Sequence, residues 1–488
     1  MELVTATTRK GIIQMTAINN ILTNINDVMY TYVLIILLIV AGLYFTIRTK
    51  GAQFRLFGDG IKSMLDKADN KEGEKAVSSF QALMISTASR VGTGNIAGIA
   101  TAIATGGPGA VFWMWLMAII GGASAFIEST LAQIYKVKQE DGQYRGGPSY
   151  YMERALGKRW MGILFSILLI ICFAYGFNGL QAFNMSSSLE YYIDDYANTP
   201  YPMIVGIVLA ALTAFVIWGG AHRIGFISSV LVPIMATLYI GIGLVTMIMN
   251  IDQLPAVFKL IFESAFDFKA MAGGFAGSAI VIGIKRGLFS NEAGMGSAPN
   301  ASASADVDHP VKQGLVQVIS VFIDTILICS STAMMLFVSG VQGIPKELDG
   351  IPFVQAAIRA NVGEWGIHFI TFSIYAFAFS SVIGNYFYAE SNILFIKDSK
   401  LLLNIFRFTC VIAVFLGAQA DFSMVWNIAD ITMGLMAVVN IIAIFLLGKV
   451  AFKALKDYEE QKKAGKNPIF YEENIGLTGT VWTKERKN

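Results

Sequence analysis

Between Phe80 and Trp115 an apolar, helix-compatible stretch is interrupted by Arg90-Val91-Gly92-Thr93-Gly94-Asn95, which brings two glycines, two small polar side chains and an arginine to bilayer depth. Helical sequence resumes at Ile96 and stops at Gly106-Gly107-Pro108. Backbone that leaves the helix inside a membrane survives only where protein buries it or where it lines a wet cavity. A glycine-rich break between two half-helices offers unpaired N–H groups to an anion and unpaired C=O groups to a cation. An amino-acid zwitterion travelling with Na⁺ suits that combination. A phosphate-loop reading of Gly92-Thr93-Gly94-Asn95 fails, because the run lacks a Gly-Lys-Ser/Thr ending and a preceding strand.

A second broken helix is expected over 272–300, which is rich in glycine and holds Lys285, Arg286 and Glu292. A lipid-facing helix would not tolerate that content. Four further acids fall inside apolar runs: Glu128, Asp324, Glu390 and Asp430. Each charge costs at least about 2.5–3.5 kcal/mol at mid-bilayer unless it is paired or wet. With Arg90, Lys285 and Arg286 these acids are expected to form ion pairs or a gate near the breaks. A direct ion or proton role for Asp324 or Asp430 is the alternative.

The elements that must carry these residues are membrane helices. The chain has 488 residues, of which 55% are hydrophobic and 14% charged, and its mean hydropathy is +0.58. Soluble domains carry about 25% charged residues. Eleven apolar runs are long enough to cross a bilayer: 30–48, 78–105, 109–135, 160–183, 202–219, 225–249, 272–294, 311–339, 365–396, 401–419 and 422–448. No cleavable signal is expected, since the first 27 residues are mixed and polar. Loops of one parity are basic (Lys50, Arg55, Lys62, Lys67, Lys71 and Lys75; Lys136 to Arg159; His222 and Arg223; Lys312; Lys397 and Lys400), as is the tail from Lys449. The alternate loops are neutral or acidic, with Glu190, Asp194, Asp252, Glu263, Glu347, Asp349 and Asp421, although two of them also hold Lys259 and Lys269, and Lys346 and Arg359. By the positive-inside rule the tail is cytoplasmic and the N-terminus external. Residues 51–66, 255–266 and 351–361 read as interfacial helices, and the tail after about Leu455 as partly disordered.

Five spans run from the first break and five from the second, so the two halves have inverted topology. Residues 1–77 then hold an extra N-terminal helix and a loop, 78–250 the first five-helix repeat, 251–455 the second, and 456–488 the tail. Two breaks at corresponding positions in two halves point to a transporter binding site.

The segments VGTGNIAG (91–98), GGPGAVFWMW (106–115) and RGLFSNEAGMGSAP (286–299) resemble the signatures of the alanine/glycine:cation symporters, also called sodium:alanine symporters. The resemblance covers nearly the whole membrane part, and the VGTGN stretch is also similar to the unwound first core helix of neurotransmitter:sodium symporters. It implies an all-α, leucine-transporter-type fold of 5+5 inverted repeats, Na⁺ coupling, and a small neutral amino acid as cargo.

On this reading the N–H groups of Gly92, Thr93 and Gly94 face the substrate carboxylate, because glycine lets a ligand approach the backbone closely. Thr93 and Asn95 add side-chain donors. The alternative is that the glycines serve close packing and Asn95 ties the break together. The related fold places its shared ion site between the first and eighth core helices. Carried over, this implies Na⁺ held by carbonyls of Ala88 and Val91 and hydroxyls of Ser380 and Ser381, toward the about five or six hard oxygens a hard cation prefers. Both serines could instead bond back to their own helix. Gln181 is a pocket candidate by the same resemblance, or an exposed interfacial residue. In the second break Gly283, Gly287, Phe289 and Asn291 are expected to line the opposite side, with Phe289 capping the cavity.

Asn385 departs from the family pattern, in which tryptophan commonly follows this glycine. Asparagine is smaller and both donates and accepts hydrogen bonds. Either the cavity is larger and polar, admitting a side chain such as glutamine, or another residue refills the space.

Other classes fit less well, and a non-transporting membrane receptor has no supporting feature in the sequence. An enzyme needs clustered nucleophiles, metal ligands or a general base; the three cysteines lie far apart in apolar runs and the three histidines do not cluster. A channel needs a continuous pore lined by carbonyl or charge rings, whereas one pair of broken helices in a monomeric core favours a closed cavity. Nothing suggests a nucleic-acid partner; the expected partners are the bilayer and the amino acid. Proton coupling in place of Na⁺ is the alternative within transport.

Overall fold

The computed structural model describes residues 20–66, 77–139, 142–267, 278–340, 350–420 and 422–484. The expected loop charges Lys67, Lys71, Lys75, Glu347, Asp349 and Asp421, the side chain of His222 and the start of the second broken span before residue 278 lie outside them.

Helices dominate. We label them α1 (Asn20–Arg48), α2 (Ser79–Arg90), α3 (Ile99–Gly106), α4 (Gly109–Ile134), α5 (Arg159–Ser187), α6 (Tyr201–Ile217), α7 (Gly220–Met249), α8 (Ala279–Asn291), α9 (Pro299–Ser304), α10 (Pro310–Val338), α11 (Glu364–Ile396), α12 (Lys400–Gly417) and α13 (Phe422–Lys463). Among the described residues eight helices are long and apolar enough to cross a membrane. The α2/α3 and α8/α9 pairs and the shorter apolar α6 supply the remaining crossings of the eleven expected.

Local chemistry sets where the two broken helices begin. Ser78 opens α2 with a capping box: Ser78 Oγ accepts from Gln81 N–H, and Gln81 Oε1 accepts from Ser78 N–H at 3.0 Å. Ser278 caps α8 by accepting from Val281 N–H. Both helices pack in the interior. α8 and α10 lie against α4, whereas α2 lies against α7 and α11. The glycine-rich face of α8 allows this closeness: a Cβ on Gly283 would lie 2.4 Å from the Ala110 carbonyl and 2.7 Å from Trp113 Cβ.

Several helices widen locally to i→i+5 hydrogen bonding, at Gly94–Gly98, at Ile170–Phe177 within α5, and at Ile323–Cys329 within α10. Such turns re-aim side chains and often mark functional positions.

Two sequence expectations change. The helix Gly350–Val362 is internal, with Ile351, Phe353, Val354, Ala357 and Ile358 buried, and Gln355 Nε2 donating 2.9 Å to the Ser188 carbonyl. Its apolar face meets protein, so it is not an interfacial helix. The helix Leu254–Ala265 is consistent with an interfacial position: Phe258, Leu260 and Phe262 stay exposed while Val257 and Ile261 are buried, and Trp113 Nε1 on α4 donates to Ala265 O at 3.1 Å. The described part of the tail, to residue 484, is folded: α13 continues to Lys463, and Phe470 and Trp482 beyond it are buried.

Candidate functional site

The first break is narrow and fully buried. α2 ends at Arg90, and the chain crosses Val91-Gly92-Thr93 before helical structure resumes. Gly92 N–H, the group that would next reach the Ala88 carbonyl, donates instead to Asn95 Oδ1 at 3.0 Å. Thr93 N–H donates to Gln181 Oε1 of α5 at 3.0 Å. Two of the three N–H groups expected to face a carboxylate are therefore taken by side chains, because orphan donors at a buried helix end must find acceptors. Gln181 is 3% exposed, so it is a wall of the break and not an interfacial residue.

Ser381 of α11 faces the same break. Its Oγ lies 3.2 Å from the Val91 carbonyl and 3.1 Å from the Phe377 carbonyl. Ser380 Oγ donates only to Phe377 O, at 2.8 Å, the back-bonding that competes with any ligand role. A Cβ on Gly92 would stand 2.2 Å from Ser381 Oγ and 2.9 Å from Gln181 Oε1. The absence of a side chain at 92 is what lets α2, α5 and α11 meet.

Phe289 of α8 closes over the opposite side. A Cβ on Gly94 would lie 2.7 Å from its ring. That ring packs edge-on against Phe177, with centroids 4.8 Å apart, and against Trp426 of α13 at 5.2 Å. α8 ends at Asn291, and Glu292 takes a left-handed φ of +56°, unusual for a non-glycine residue. The second break thus falls at 292–298, past Gly283 and Gly287. Gly283 does not reach the cluster; it faces Ala110 and Trp113 on α4, as its close contacts require. Gly287 lies against Met114 and Met117 of the same helix.

Polar side chains join the two breaks. Asn95 Nδ2 donates 2.7 Å to Asp324 Oδ1 of α10, and Ser290 Oγ donates 2.5 Å to Asp324 Oδ2, while Thr332 Oγ1 donates to Asn95 O at 2.6 Å. Ser89 Oγ lies 2.7 Å from Asn385 Oδ1 and 3.0 Å from Glu292 Oε1, and Asn385 Nδ2 donates 3.0 Å to Asn178 Oδ1 of α5. Both ends of the Asn385 amide are occupied, so it stitches α11 to α2 and α5. Glu292 Oε2 accepts from Ser297 Oγ at 2.6 Å and lies 3.9 Å from Arg90 Nε. Lys285 and Arg286 both pair with Asp430 of α13, at 2.7 and 2.6 Å, and the Arg286 guanidinium lies over the Trp426 ring. Arg407 pairs with Glu390 at 3.2 Å. Glu128 accepts from Gly294 N–H and Asn440 Nδ2.

Two polar atoms beside the breaks, Thr93 Oγ1 and Asn291 Nδ2, are buried with no hydrogen-bond partner among the described residues. Buried polar groups are ordinarily paired, so each has capacity for a ligand. Of the expected site residues, Val91, Gly92, Thr93, Gly94, Asn95, Gln181, Phe289 and Ser381 meet around the first break, with Asn385 one turn along α11. Ala88 contributes a carbonyl without its helical donor. Ser380 and Gly283 point elsewhere. Sequence reading passed over Ser89, Asn178, Ser290 and Trp426, which carried no signal beyond being polar or aromatic in an apolar run. No group of three or more His, Cys, Asp or Glu placed to hold a metal occurs among the described residues.

Two broken helices facing one another within a buried bundle define a secondary transporter of the leucine-transporter type. The crystal structure of MhsT in complex with L-phenylalanine has this fold: it aligns at a TM-score of 0.51 and 16% identity over 84% of this chain and 94% of its own. The model of the sodium:alanine symporter family matches residues 15–472, and the chain belongs to that family. The amino-acid carrier protein AlsT of Bacillus subtilis is 49% identical over 96% of this chain and 98% of its own. A probable sodium/glutamine symporter of the same organism, GlnT, is 48% identical over 92% of each chain. The sodium/alanine symporter AgcS of Methanococcus maripaludis is 36% identical over 91% of this chain and 98% of its own. The protein is a multi-pass membrane transporter and not an enzyme.

Proposed function

We propose that this chain carries alanine or glycine across the cell membrane together with Na⁺, by alternating access, with its C-terminal tail cytoplasmic and its N-terminus external. The observation that carries the reading is the first break. There Val91 O and Ser381 Oγ lie together, the next residue but one carries the buried, unpartnered Thr93 Oγ1, and Phe289 closes over Gly94. Na⁺ binds between the Ala88 and Val91 carbonyls and Ser381, whose hydroxyl turns its lone pairs to the ion. Ser380 joins only after releasing Phe377 O. The cargo carboxylate meets Thr93 Oγ1 and the Gly94 backbone, and Asn291 Nδ2 adds a donor. Phe289, between Phe177 and Trp426, covers the small side chain. Because Na⁺ and the amino acid both order the same break, each raises the affinity for the other.

The relatives include a probable glutamine symporter as well as an alanine symporter. The closed packing of Phe289 over Gly94 and the occupied Asn385 amide favour the smaller cargo here. Unlabelled glutamine in hundredfold excess should therefore lower labelled alanine uptake into proteoliposomes by less than about twofold, whereas glycine at that excess competes strongly. Glutamine competing as well as glycine would assign the larger cargo.

A proton replaces Na⁺ in the second reading, and one observation favours it: Asp324 is fully buried without an ion pair among the described residues. Three donors, from Asn95, Ser290 and Thr325, already satisfy its oxygens. These bonds tie Asp324 to both breaks as a structural anchor, so Na⁺ coupling is the preferred reading.

A further inference from the structure

The charged tail gave no reason to expect buried aromatic residues, yet Phe470 and Trp482 are 2% and 1% exposed. Past α13 the chain turns back at Gly465, which has a φ of +72°. It is then held in place by pairs of hydrogen bonds. Gln461 clasps Ile469 through both its N–H and its carbonyl, at 2.9 Å each. Glu472 N–H donates to Trp482 O at 2.9 Å, and Thr480 N–H donates to Glu472 Oε2 at 2.6 Å. The segment 469–482 is thus a small folded unit.

What it grips is informative. Phe470 N–H donates 2.9 Å to the carbonyl of Asp308, just past α9, and the Phe470 ring meets that of His309. Trp482 Nε1 donates 2.9 Å to the carbonyl of Gln133, at the end of α4. Gln133 in turn donates to the carbonyls of Ser302 and Ala305, and Lys136, stacked between the Tyr144 and Trp482 rings, donates 2.7 Å to Ala305 O. Ala305 pairs with Val77, and Asp306 N–H donates 2.9 Å to Val77 O, one residue before the capping box of α2. The exit of the second broken helix is therefore bound on one side to the entrance of the first. On the other it is bound to the end of α4 by Gln133 and Lys136, and the tail braces that joint through Trp482 on Gln133 and Phe470 on Asp308.

We propose that residues 469–482 form a strap that holds this face of the transporter closed, and that the strap must loosen before the joined ends of α2 and α9 can separate. The proposal rests on the alternating-access reading, because only a transporter must open here. The strap buries two large rings against the joint of α4 and residues 302–309 on which Val77 is held, so contacts that exist only while this joint is intact stabilise the closed state and shift the equilibrium away from opening.

The test reads opening without requiring transport. A cysteine placed at Ser304, which is 5% exposed at the end of α9, is reacted with a hydrophilic maleimide in purified protein. Background from the three buried native cysteines is measured in the same proteins without the substitution. With the strap intact, labelling should be slow. A chain ending at Gly465 should label at least about tenfold faster, and Trp482→Ala should also label faster, by a smaller factor. Trp482→Phe, which keeps a ring but loses the bond to Gln133, should fall between Trp482→Ala and the unaltered strap. Should the truncated chain fail to fold, the tryptophan pair decides alone. Equal labelling rates for Trp482→Ala and the unaltered strap would overturn the proposal. Loss of uptake in every variant, with the labelling order kept, would count against the transport reading and leave the strap standing.

Discussion

Alanine in place of Gly92 should abolish uptake, and alanine in place of Gly94 should impair it in a way that a second substitution relieves. The Gly92 Cβ would meet Ser381 Oγ at 2.2 Å and both polar atoms of Gln181 within 3.0 Å. These belong to α11 and α5, two helices already in close contact with the break. α11 and α2 already meet at backbone distance, since a Cβ on Gly384 would lie 2.7 Å from Ser89 N, so a side chain at 92 drives the two helices apart. Overpacking of this kind costs about 1–3 kcal/mol even where side chains can shift, and here it also separates Ser381 from Val91 O. We expect uptake by Gly92→Ala to fall about a hundredfold or more, with the protein still inserted and folded by detergent elution profile. At Gly94 the obstacle is the edge of one ring, 2.7 Å away. Phe289→Leu in the Gly94→Ala background should recover part of the lost uptake, whereas Phe289→Leu in the Gly92→Ala background should recover none. Rescue of both by the same substitution would mean that the break is not built as described.

Ser381→Ala should remove most of the Na⁺ stimulation, and Ser380→Ala should remove far less. Adjacent serines in an apolar helix look interchangeable, yet they differ in what they reach. Ser381 Oγ lies 3.2 Å from the Val91 carbonyl, while Ser380 Oγ bonds only within its own helix. Loss of one hard oxygen from a site of about five or six should raise the Na⁺ concentration for half-maximal uptake by about tenfold or more in Ser381→Ala and by less than about threefold in Ser380→Ala, a tenfold change being about 1.4 kcal/mol. The double variant should match Ser381→Ala. Unchanged Na⁺ dependence in Ser381→Ala would sink the ion-site assignment, and a larger effect from Ser380→Ala would move the ion toward the other face of α11.

Much of this architecture is legible in the residues. Glycine, threonine and asparagine have no place in the middle of a lipid-facing helix, so the first break announces itself at Arg90–Asn95. The second is less legible: seven glycines spread from Gly273 to Gly296 signal close packing as well as interruption. Gly283 turned out to serve packing against α4, while the break itself falls at Glu292, a residue type that seldom adopts a left-handed φ. The polar partners were hidden for a different reason. Asn178 and Asp324 sit in or beside π-helical turns of α5 and α10, and a local change of helical period displaces which residues share a face. Counting at 3.6 per turn cannot place them. The tail misled by composition: its many charges read as solvated chain, whereas two aromatic residues and a glutamine clasp suffice to dock it.

Uptake of labelled alanine into proteoliposomes is the measurement to make first, with an inward Na⁺ gradient and with Na⁺ replaced by K⁺ at equal pH on both sides. Concentrative uptake that appears only with the Na⁺ gradient, and that collapses when the gradient is dissipated, is the predicted result. Concentrative uptake that ignores Na⁺ and follows an inward proton gradient would contradict the Val91–Ser381 ion site and place the coupling ion at Asp324.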